Sequence, residues 1–270
     1  MQSLVLITGA TGGLGKAFAV ECASRGWDLF LTDLDAARLE TLAGGLRKTY
    51  GIEVLIQPCD LSDSPSRLGL FARAGAHRFR MLINVAGLDH EGIFRERARE
   101  EILAIVRLNV EATLDVTHAL LAHMDPAGTF RIINVASLAA FYPMPVKATY
   151  AASKRFLLDW SLALRNEVRE LGGTVTALCP AGLATNRECI ESIESQGLMG
   201  QLTTLDIGEV AARTIEAALR GRAIVIPGLL NRGLRLLGGL VSPLHAAEFI
   251  GRRWRATRSR IPAAVATSGK

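Results

Sequence analysis

Short, continuously apolar segments alternate with longer, helix-length segments along most of the chain. Strands that are apolar on both faces are typical of parallel sheets that have helices packed on each side. Seven such strands in one series predict a single α/β domain, with a doubly wound, mostly parallel seven-stranded sheet and helices on both faces. The predicted strands lie within residues 4–8, 28–33, 53–60, 80–87, 129–137, 174–180 and 223–228. The predicted helices cover residues 13–25, 36–50, 96–124, 150–171 and 206–220.

The positive charge of the chain is concentrated at one end. The net charge is +5, but residues 228–270 hold eight basic residues against one acidic residue, a net +7. The preceding 227 residues therefore carry a net −2, so the high isoelectric point gives no support to a nucleic-acid partner. This change of composition predicts a main domain, residues 1–227, and a basic amphipathic extension, residues 228–270, packed on the same domain.

The cysteine and histidine pattern argues against a metal site. The four cysteines form no CxxC pair and the five histidines no HExxH motif, which favours buried, reduced thiols. The N-terminus MQSLVLITGA has no basic leader or cleavage-site pattern, and the chain has no 18-residue apolar run without charges. We therefore expect a cytoplasmic protein without bound metal.

A glycine-rich turn, TGATGGLG at residues 8–15, stands between the first predicted strand and the first predicted helix. Such a turn lets backbone amides approach a pyrophosphate at the positive end of a helix. A P-loop is excluded, because Ala10 and Ala17 stand where that motif needs glycine and a hydroxyl residue. The turn, in this position, predicts dinucleotide binding.

An acidic residue, Asp33, ends the second predicted strand, 18 residues after Gly15. A carboxylate in this position hydrogen-bonds the ribose hydroxyls and repels a 2′-phosphate, so we expect a preference for NAD(H) over NADP(H). NADP(H) remains the alternative, since Lys16 and Arg38 are cations that could reach the phosphate. Asp33 could instead cap the next helix, although Asp35 is better placed for that role.

Tyr150 and Lys154 stand four residues apart in TYAASKRF, so they share one face of a helix. A pair at this spacing is usually a surface pair. A free phenol has a pKa of about 10, but a neighbouring ammonium favours the phenolate. The pair therefore becomes a candidate acid–base unit only if other active-site residues accompany it.

With these motifs in view, the chain resembles the short-chain dehydrogenase/reductase family over about residues 3–227. The motif TGxxxGxG is present, as are an NVAG form of the NNAG element, a serine after the fifth strand and YxxxK thirteen residues later. The resemblance implies a Rossmann-type fold and transfer of a hydride between a nicotinamide and a carbonyl or secondary alcohol. It assigns catalysis to Asn109, Ser137, Tyr150 and Lys154, and cofactor binding to Thr8, Gly9, Gly13, Leu14, Gly15, Asp33, Asp60, Leu61, Asn84, Ala86, Gly87, Tyr150, Lys154, Pro180 and Thr185.

The resemblance also implies a role for each catalytic residue. Tyr150 would exchange a proton with the substrate oxygen, Lys154 would favour the phenolate and hold the ribose, Ser137 would orient the substrate, and Asn109 would join a proton relay. Each residue taken alone has a simpler interpretation: Asn109 could make a core hydrogen bond and Ser137 could be a turn residue. Asp60 could cap a helix that begins near Ser62.

Two features depart from the family pattern. The glycines at 9, 12, 13 and 15 also satisfy TGxxGxxG, the pattern of the sugar-nucleotide epimerase branch. The Pro-Gly expected after the sixth strand reads Pro180-Ala181, with Gly182 one place later. Two alternatives to the dehydrogenase therefore stay open: a sugar-nucleotide epimerase or dehydratase, and a catalytically silent nucleotide sensor.

The segment between Ser137 and Tyr150, LAAFYPMPVKAT, is largely apolar and predicts a small apolar carbonyl or alcohol substrate. The family resemblance implies a homodimer or homotetramer built on the helices at 96–124 and 150–171. For the extension we favour a helix pair that covers the substrate loop or a subunit interface, because Gly238-Gly239 and Pro243 interrupt any long helix. Peripheral contact with an anionic membrane is the less favoured alternative.

Overall fold

A computed structural model describes residues 3–125, 128–183 and 205–258 of the chain. Its centre is one seven-stranded sheet in the order β3-β2-β1-β4-β5-β6-β7, and all the neighbouring strands are parallel. The predicted parallel, doubly wound fold is therefore confirmed. The strands are β1 (Leu4–Thr8), β2 (Leu29–Asp33), β3 (Val54–Pro58), β4 (Phe79–Asn84), β5 (Arg131–Val135), β6 (Thr174–Leu178) and β7 (Ile224–Val225).

The direction in which the strand order grows reverses at β1, which lies between β2 and β4. In open parallel sheets, ligands bind outside the carboxyl ends of the strands at such a switch point. The register places Thr8 beside Asn84, and Asn84 beside Asn134, at this edge of the sheet. The chain thereby brings the glycine turn after β1 next to the loop after β4.

Helices cover both faces of the sheet. They are α1 (Gly13–Ser24), α2 (Ala36–Tyr50), α3 (Ser64–Ala74), α4 (Arg99–Val106), α5 (Ala112–Leu121), α6 (Ala148–Arg169), α7 (Ile207–Leu219), α8 (Leu229–Leu240) and α9 (Pro243–Arg258), with 3₁₀ turns at Phe94–Glu96 and Leu138–Phe141. One core packs α1, α2 and α7 on the sheet, and a second packs α3, α5 and α6 on the opposite face. The two cores explain why the strands are apolar on both sides.

Aspartates cap several of these helices. Asp35 accepts hydrogen bonds from two amides of α2, Asp63 from the Ser66 amide of α3, and Asp206 from the Glu209 amide of α7. The expectation that Asp35 rather than Asp33 caps α2 is confirmed. A capping role for Asp60 is wrong, because α3 begins at Ser64 and Asp63 caps it.

The continuous helix predicted at 96–124 is wrong. The segment forms α4 and α5, and a π-helical turn, Arg107–Glu111, joins them. Such a turn accommodates one extra residue and changes which side chains face the sheet. The apolar pattern did not show this, because it continues smoothly through the turn.

The extension forms the two helices α8 and α9. The expectation that Gly238-Gly239 would interrupt the helix is wrong, since α8 runs through both glycines to Leu240. Pro243 does mark a boundary, because it is the first residue of α9. Within the described part of the chain, none of the helices has the length and apolar character needed to cross a membrane.

Candidate active site

The glycine turn is fitted closely against the loop after β4. Gly9 has a φ of +62°, and a Cβ added to it would lie 2.8 Å from the backbone of Ala86. A Cβ on Gly15 would overlap the carbonyl oxygen of Gly9. The Thr8 hydroxyl accepts hydrogen bonds from the amides of Val85 and Ala86, at 3.1 and 3.2 Å. Gly9 and Gly15 are therefore required by close packing, and Thr8 joins the two loops.

The N-terminus of α1 lacks the side-chain cap found on α2, α3 and α7. Its N-cap is Gly12, which makes no side-chain hydrogen bond, and its first turn, which includes Gly13 and the buried Leu14, has no acidic residue. Free amides and a positive helix end suit a phosphate group. The residues present therefore fit the pyrophosphate of a dinucleotide, with Gly13 and Leu14 at the predicted contact.

Asp33 lies beside this turn. Its Oδ2 atom accepts hydrogen bonds from both the amide and the hydroxyl of Thr11, each at 2.8 Å, and its Oδ1 atom accepts from the Leu34 amide at 2.7 Å. Arg38 donates to the Thr11 carbonyl at 2.9 Å. The structure thus brings Asp33 next to the turn, and its contact with a cofactor ribose remains a prediction. The part played by Thr11, a residue within the motif TGATGGLG, was missed.

Asp60 and Leu61 follow β3. The Asp60 carboxylate accepts from the amide and hydroxyl of Ser62, at 2.9 and 2.7 Å, while the Leu61 side chain is buried. The Leu61 carbonyl accepts from the buried guanidinium of Arg67, which also pairs with Glu111 at 2.6 Å. This support of the loop from α3 was not foreseen. Contact of Asp60 and Leu61 with a cofactor remains a prediction.

Asn84, at the end of β4, points into the core. Its amide nitrogen donates to Thr117 at 3.0 Å and to Asn134 at 2.9 Å, and Asn134 donates to Ser161 at 2.9 Å. These bonds tie β4 and β5 to α5 and α6 beneath the site. In this arrangement the Asn84 side chain supports the loop that carries Ala86 and Gly87.

Asn109 is fully buried in the π-helical turn, where it holds the loop after β4. Its amide nitrogen donates to the Leu88 carbonyl at 2.9 Å and to the Ser153 hydroxyl at 3.0 Å. Its amide oxygen accepts from the Leu88 amide at 2.7 Å. Ser153 donates in turn to the carbonyl of Tyr150 at 2.7 Å. Ser153 was not predicted as a site residue, although it lies between the two residues of the YxxxK motif.

Lys154 is buried among groups from three segments. Its ammonium donates to the Val135 carbonyl at 2.8 Å, and a Cβ on Gly87 would lie 3.3 Å from the same nitrogen and 3.1 Å from the amide oxygen of Asn109. Burial lowers the pKa of Lys154 to about 8, although the nearby Asp89 carboxylate raises it. The loop after β4, the π-helical turn and α6 therefore meet at one point, as the predicted site requires.

Tyr150 lies in the first turn of α6 near two cations. The centre of its ring is 5.7 Å from the Lys154 nitrogen and 5.8 Å from that of Lys147. The predicted Tyr–Lys pair is therefore close in space. Lys147, three residues before Tyr150, was not anticipated as part of the site.

Ser137 follows β5 and caps the 3₁₀ turn Leu138–Phe141. Its hydroxyl accepts a hydrogen bond from the Ala139 amide at 3.1 Å. Its backbone amide forms a hydrogen bond with the Cys179 thiol. Burial raises the pKa of this thiol to about 12, although the Ser137 amide and the nearby Lys154 act to lower it. Ser137 thus lies at the same carboxyl edge of the sheet as Lys154.

The loop after β6 begins beside this turn. Pro180 is buried, and its carbonyl accepts a hydrogen bond from the Leu138 amide at 2.7 Å. Thr185, predicted to contact the carboxamide of the nicotinamide, lies outside the described residues. Pro180 is therefore positioned next to the segment that carries Ser137.

Helix α8 covers the segment after Ser137. The Tyr142 hydroxyl donates to the Leu234 carbonyl, and the Arg235 guanidinium lies 5.3 Å from the centre of the Phe141 ring. Part of the extension therefore contacts the predicted substrate segment. Over the described ranges, the structure places no three His, Cys, Asp or Glu side chains together as a metal site.

The doubly wound sheet, the glycine turn at its switch point and the adjoining Asn109, Ser137, Tyr150 and Lys154 define a Rossmann-fold protein of the dehydrogenase type. The chain belongs to the short-chain dehydrogenase family, whose model matches residues 3–191. The predicted family is therefore confirmed.

Among known proteins, the chain is similar to a very-long-chain 3-oxoacyl-CoA reductase from Laccaria bicolor, with 35% identity over 177 residues. The match covers 64% of this chain and 52% of that protein, so the chain spans about half the length of this relative.

Two solved structures resemble the fold over most of the chain. A Sphingobium yanoikuyae short-chain dehydrogenase in complex with NADPH gives a TM-score of 0.75 and 28% identity, covering 97% of each chain. The bulky-bulky ketone specific alcohol dehydrogenase from Comamonas testosteroni gives 0.75 and 27%, covering 91% of this chain and 97% of that chain.

Proposed function

We propose that the protein is an NAD(P)-dependent oxidoreductase that interconverts a carbonyl group and a secondary alcohol. The observation that carries the proposal is that Gly87, Asn109 and Lys154 meet beside the ring of Tyr150. A Cβ on Gly87 would lie only 3.1 Å from Asn109 and 3.3 Å from Lys154. This arrangement is built from the loop after β4, the π-helical turn and α6, and it lies next to a helix end suited to a pyrophosphate.

The nicotinamide cofactor supplies or accepts the hydride when it is bound. Tyr150 exchanges a proton with the substrate oxygen through its hydroxyl, and Lys154 stabilises the phenolate form by its charge. Ser137 hydrogen-bonds the substrate oxygen and orients it. Asn109 holds the Leu88 backbone and Ser153, and thereby supports the position of Tyr150.

We further propose that NAD(H) is the preferred cofactor. Asp33 presents a carboxylate at the end of β2, and the following residue, Leu34, is an exposed apolar side chain that brings no positive charge. Arg38 is engaged with the Thr11 carbonyl. A 2′-phosphate would therefore meet the negative charge of Asp33.

The substrate that we propose is apolar and bulky near its carbonyl. The segment after Ser137 contributes Leu138 and Phe141, and its Tyr142 hydroxyl donates a hydrogen bond to the Leu234 carbonyl of α8. The names of the similar proteins refer to very-long-chain 3-oxoacyl-CoA and to bulky-bulky ketones, and these names support this substrate class.

We also propose a homodimer or homotetramer formed through α4, α5 and α6.

A substrate screen tests the proposal. Purified protein is incubated with NADH or NADPH and long-chain, aromatic and 3-oxoacyl ketones, oxidation is followed at 340 nm, and products are identified by mass spectrometry. Turnover of an apolar ketone to its alcohol is the expected result. Tight NADH binding without turnover of any ketone would favour a sensor, and an isomerised sugar nucleotide without net cofactor change would favour an epimerase.

A further inference from the structure

An unusual backbone conformation sets the position of Lys147. The preceding residue, Val146, has a φ of +61°, a value that a β-branched side chain rarely adopts. Its carbonyl accepts a hydrogen bond from the Gly92 amide at 2.8 Å. The segment before Tyr150 is therefore fastened to the loop after β4.

Two carboxylates of that loop face Lys147. Its ammonium lies 2.6 Å from Asp89 and 3.8 Å from Glu91, and its side chain is only 15% exposed. The lysine end of the pair is largely buried, whereas the Asp89 and Glu91 side chains are 37% and 42% exposed, so solvent screens the pair in part. The arrangement therefore holds the Lys147 ammonium beside the ring of Tyr150.

The two cations near Tyr150 lie at almost the same distance from its ring. Lys147 and Lys154 lie 5.8 and 5.7 Å from the ring centre. Asp89 also acts on both, because it pairs with Lys147 and raises the pKa of Lys154. A carboxylate that acts on both cations beside the ring would oppose formation of a phenolate unless a cation balanced it.

We propose that Lys147 is a positioning residue that, by balancing the charge of Asp89, lowers the proton affinity of Tyr150. The proposal rests on the function proposed for Tyr150. It gives the segment VKATY a role beyond the shared YxxxK motif, in which Lys154 is the cation that acts on the tyrosine. Lys147 acts through the field at the phenol and does not touch the reacting atoms.

Other charged groups surround the site, and of these only Asp89 is replaced in the test. Glu91 and Arg97 are connected through a hydrogen bond from the Arg97 guanidinium to the Glu91 carbonyl, and Arg97 pairs with Glu101 at 3.3 Å. Among the described residues, the titratable and charged groups near Tyr150 and Lys147 are Lys154 of α6, Asp89, His90 and Glu91 of the loop after β4, and Arg97 and Glu101 at α4. Cys179 lies near Lys154, and Arg235 of α8 lies near Cys179.

A direct titration of the tyrosine tests the proposal without substrate or cofactor. The chain has three tyrosines, so subtracting the tyrosinate absorbance of Tyr150→Phe isolates Tyr150. We expect Lys147→Met to raise the midpoint by about 0.5 to 1 pH unit, because a positive charge within about 6 Å is lost and Asp89 is left unbalanced. Lys147→Arg should restore the wild-type midpoint.

Replacing Asp89 should shift the midpoint in the opposite direction, and should also offset the effect of Lys147→Met. Asp89→Asn should lower the midpoint, and Lys147→Met combined with Asp89→Asn should return it towards the wild-type value. Arg155→Met is the matched control, since Arg155 is on the same helix in an exposed pair with Asp159 and should leave the midpoint unchanged.

A midpoint for Lys147→Met within about 0.2 units of wild type would overturn the proposal. Should this variant not fold, as judged by circular dichroism, Asp89→Asn alone decides, and an unchanged or raised midpoint rejects it. Absence of turnover with every ketone would contradict the proposed function, but the midpoint of the Tyr150 titration could still be measured.

Discussion

The Thr11 hydroxyl and amide both donate to one carboxylate oxygen of Asp33, each at a distance of 2.8 Å. The carboxylate is therefore held at the edge of the glycine turn in a defined orientation. In the cofactor preference proposed above, this charge is the group that would repel a 2′-phosphate.

Replacing Asp33 is expected to weaken discrimination against NADPH. In Asp33→Asn the negative charge is lost, so the ratio of kcat/KM for NADPH to that for NADH should rise about tenfold, equivalent to about 1.4 kcal/mol. Initial rates with each cofactor measure it. Asp35→Asn is the control, because asparagine retains the cap of α2 and should leave the ratio unchanged. A wild-type protein that already used NADPH better than NADH would contradict the assignment.

Removing the hydroxyl of Tyr150 is expected to abolish most turnover. General acid–base groups contribute about 10²–10⁴-fold, so kcat for Tyr150→Phe should fall by that factor. NADH binding, measured by fluorescence titration, should change little because the ring remains. Activity within a few-fold of wild type would exclude Tyr150 as the proton donor.

Burial of Lys154 should make stability depend on pH. Because its pKa of about 8 in the folded state is lower than the value of about 10.4 in the unfolded chain, the unfolded state binds more protons between these values. The stability of the wild type relative to Lys154→Met should therefore rise by about 1 kcal/mol per pH unit from pH 8 to pH 10, and be constant below pH 8.

Urea unfolding at pH 7, 8, 9 and 10 measures this dependence. Lys48→Met, at an exposed position of α2, is the control, and its stability should run parallel to that of the wild type. Parallel curves for Lys154→Met as well would show that burial does not affect the charge of this lysine.

The left-handed backbone conformation of Val146 favours a glycine at this position. The left-handed region costs a bulky residue about 1–2 kcal/mol, whereas glycine enters it freely but loses more chain entropy on folding. The free energy of unfolding of Val146→Gly should therefore not fall, and should rise by up to about 1 kcal/mol. Val20→Gly, in the middle of α1, should lose about 0.5–1 kcal/mol. Equal losses in the two variants, measured by urea unfolding, would argue against strain at Val146.

Helix α8 is expected to affect the substrate more than the cofactor. Arg235→Met removes the cation beside Phe141, which is worth about 0.5–1 kcal/mol, so KM for an apolar ketone should rise about two- to fivefold. Arg252→Met, in α9, is the control and should leave this KM unchanged. The KM for NADH should stay constant in both variants.

Deletion of residues 229–270 should have a larger effect of the same kind. It removes the Leu234 carbonyl that holds Tyr142, so KM for long-chain and aromatic ketones should rise more than tenfold while NADH binding is largely kept. Circular dichroism checks that the shortened chain folds. Unchanged kinetics in a folded variant would remove the extension from the proposed mechanism.

The sheet and most helices were predictable because local pattern and tertiary packing agree. Strands such as β1 are buried at every position because the two cores lie on opposite faces of the sheet, and the apolar run Leu4–Ile7 makes that burial visible in the sequence. The cap at Asp35 was also predictable, because it depends on two neighbouring amides. The order of Ser137, Tyr150 and Lys154 likewise followed from motif spacing.

Features that depend on distant partners were not predictable. The π-helical turn is stabilised where Asn109 meets Leu88 and Ser153, which come from two other segments. In the sequence, Lys147 is not distinguished from other charged residues. Its role depends on Asp89, which lies 2.6 Å away only in the folded chain. A single sequence contains no record of such pairings.

The π-helical turn at Arg107–Glu111 has a consequence for how this region tolerates changes of length. Each residue of an α-helix advances the helical face by about 100°, so the extra residue lets α4 and α5 present different faces to their surroundings. Loss of one residue here would convert the segment to a regular helix and rotate either Asn109 or the apolar side of α5 away from its partners. A substitution can keep both Asn109 and the apolar side of α5 facing their partners, whereas a single-residue deletion must turn one of them away.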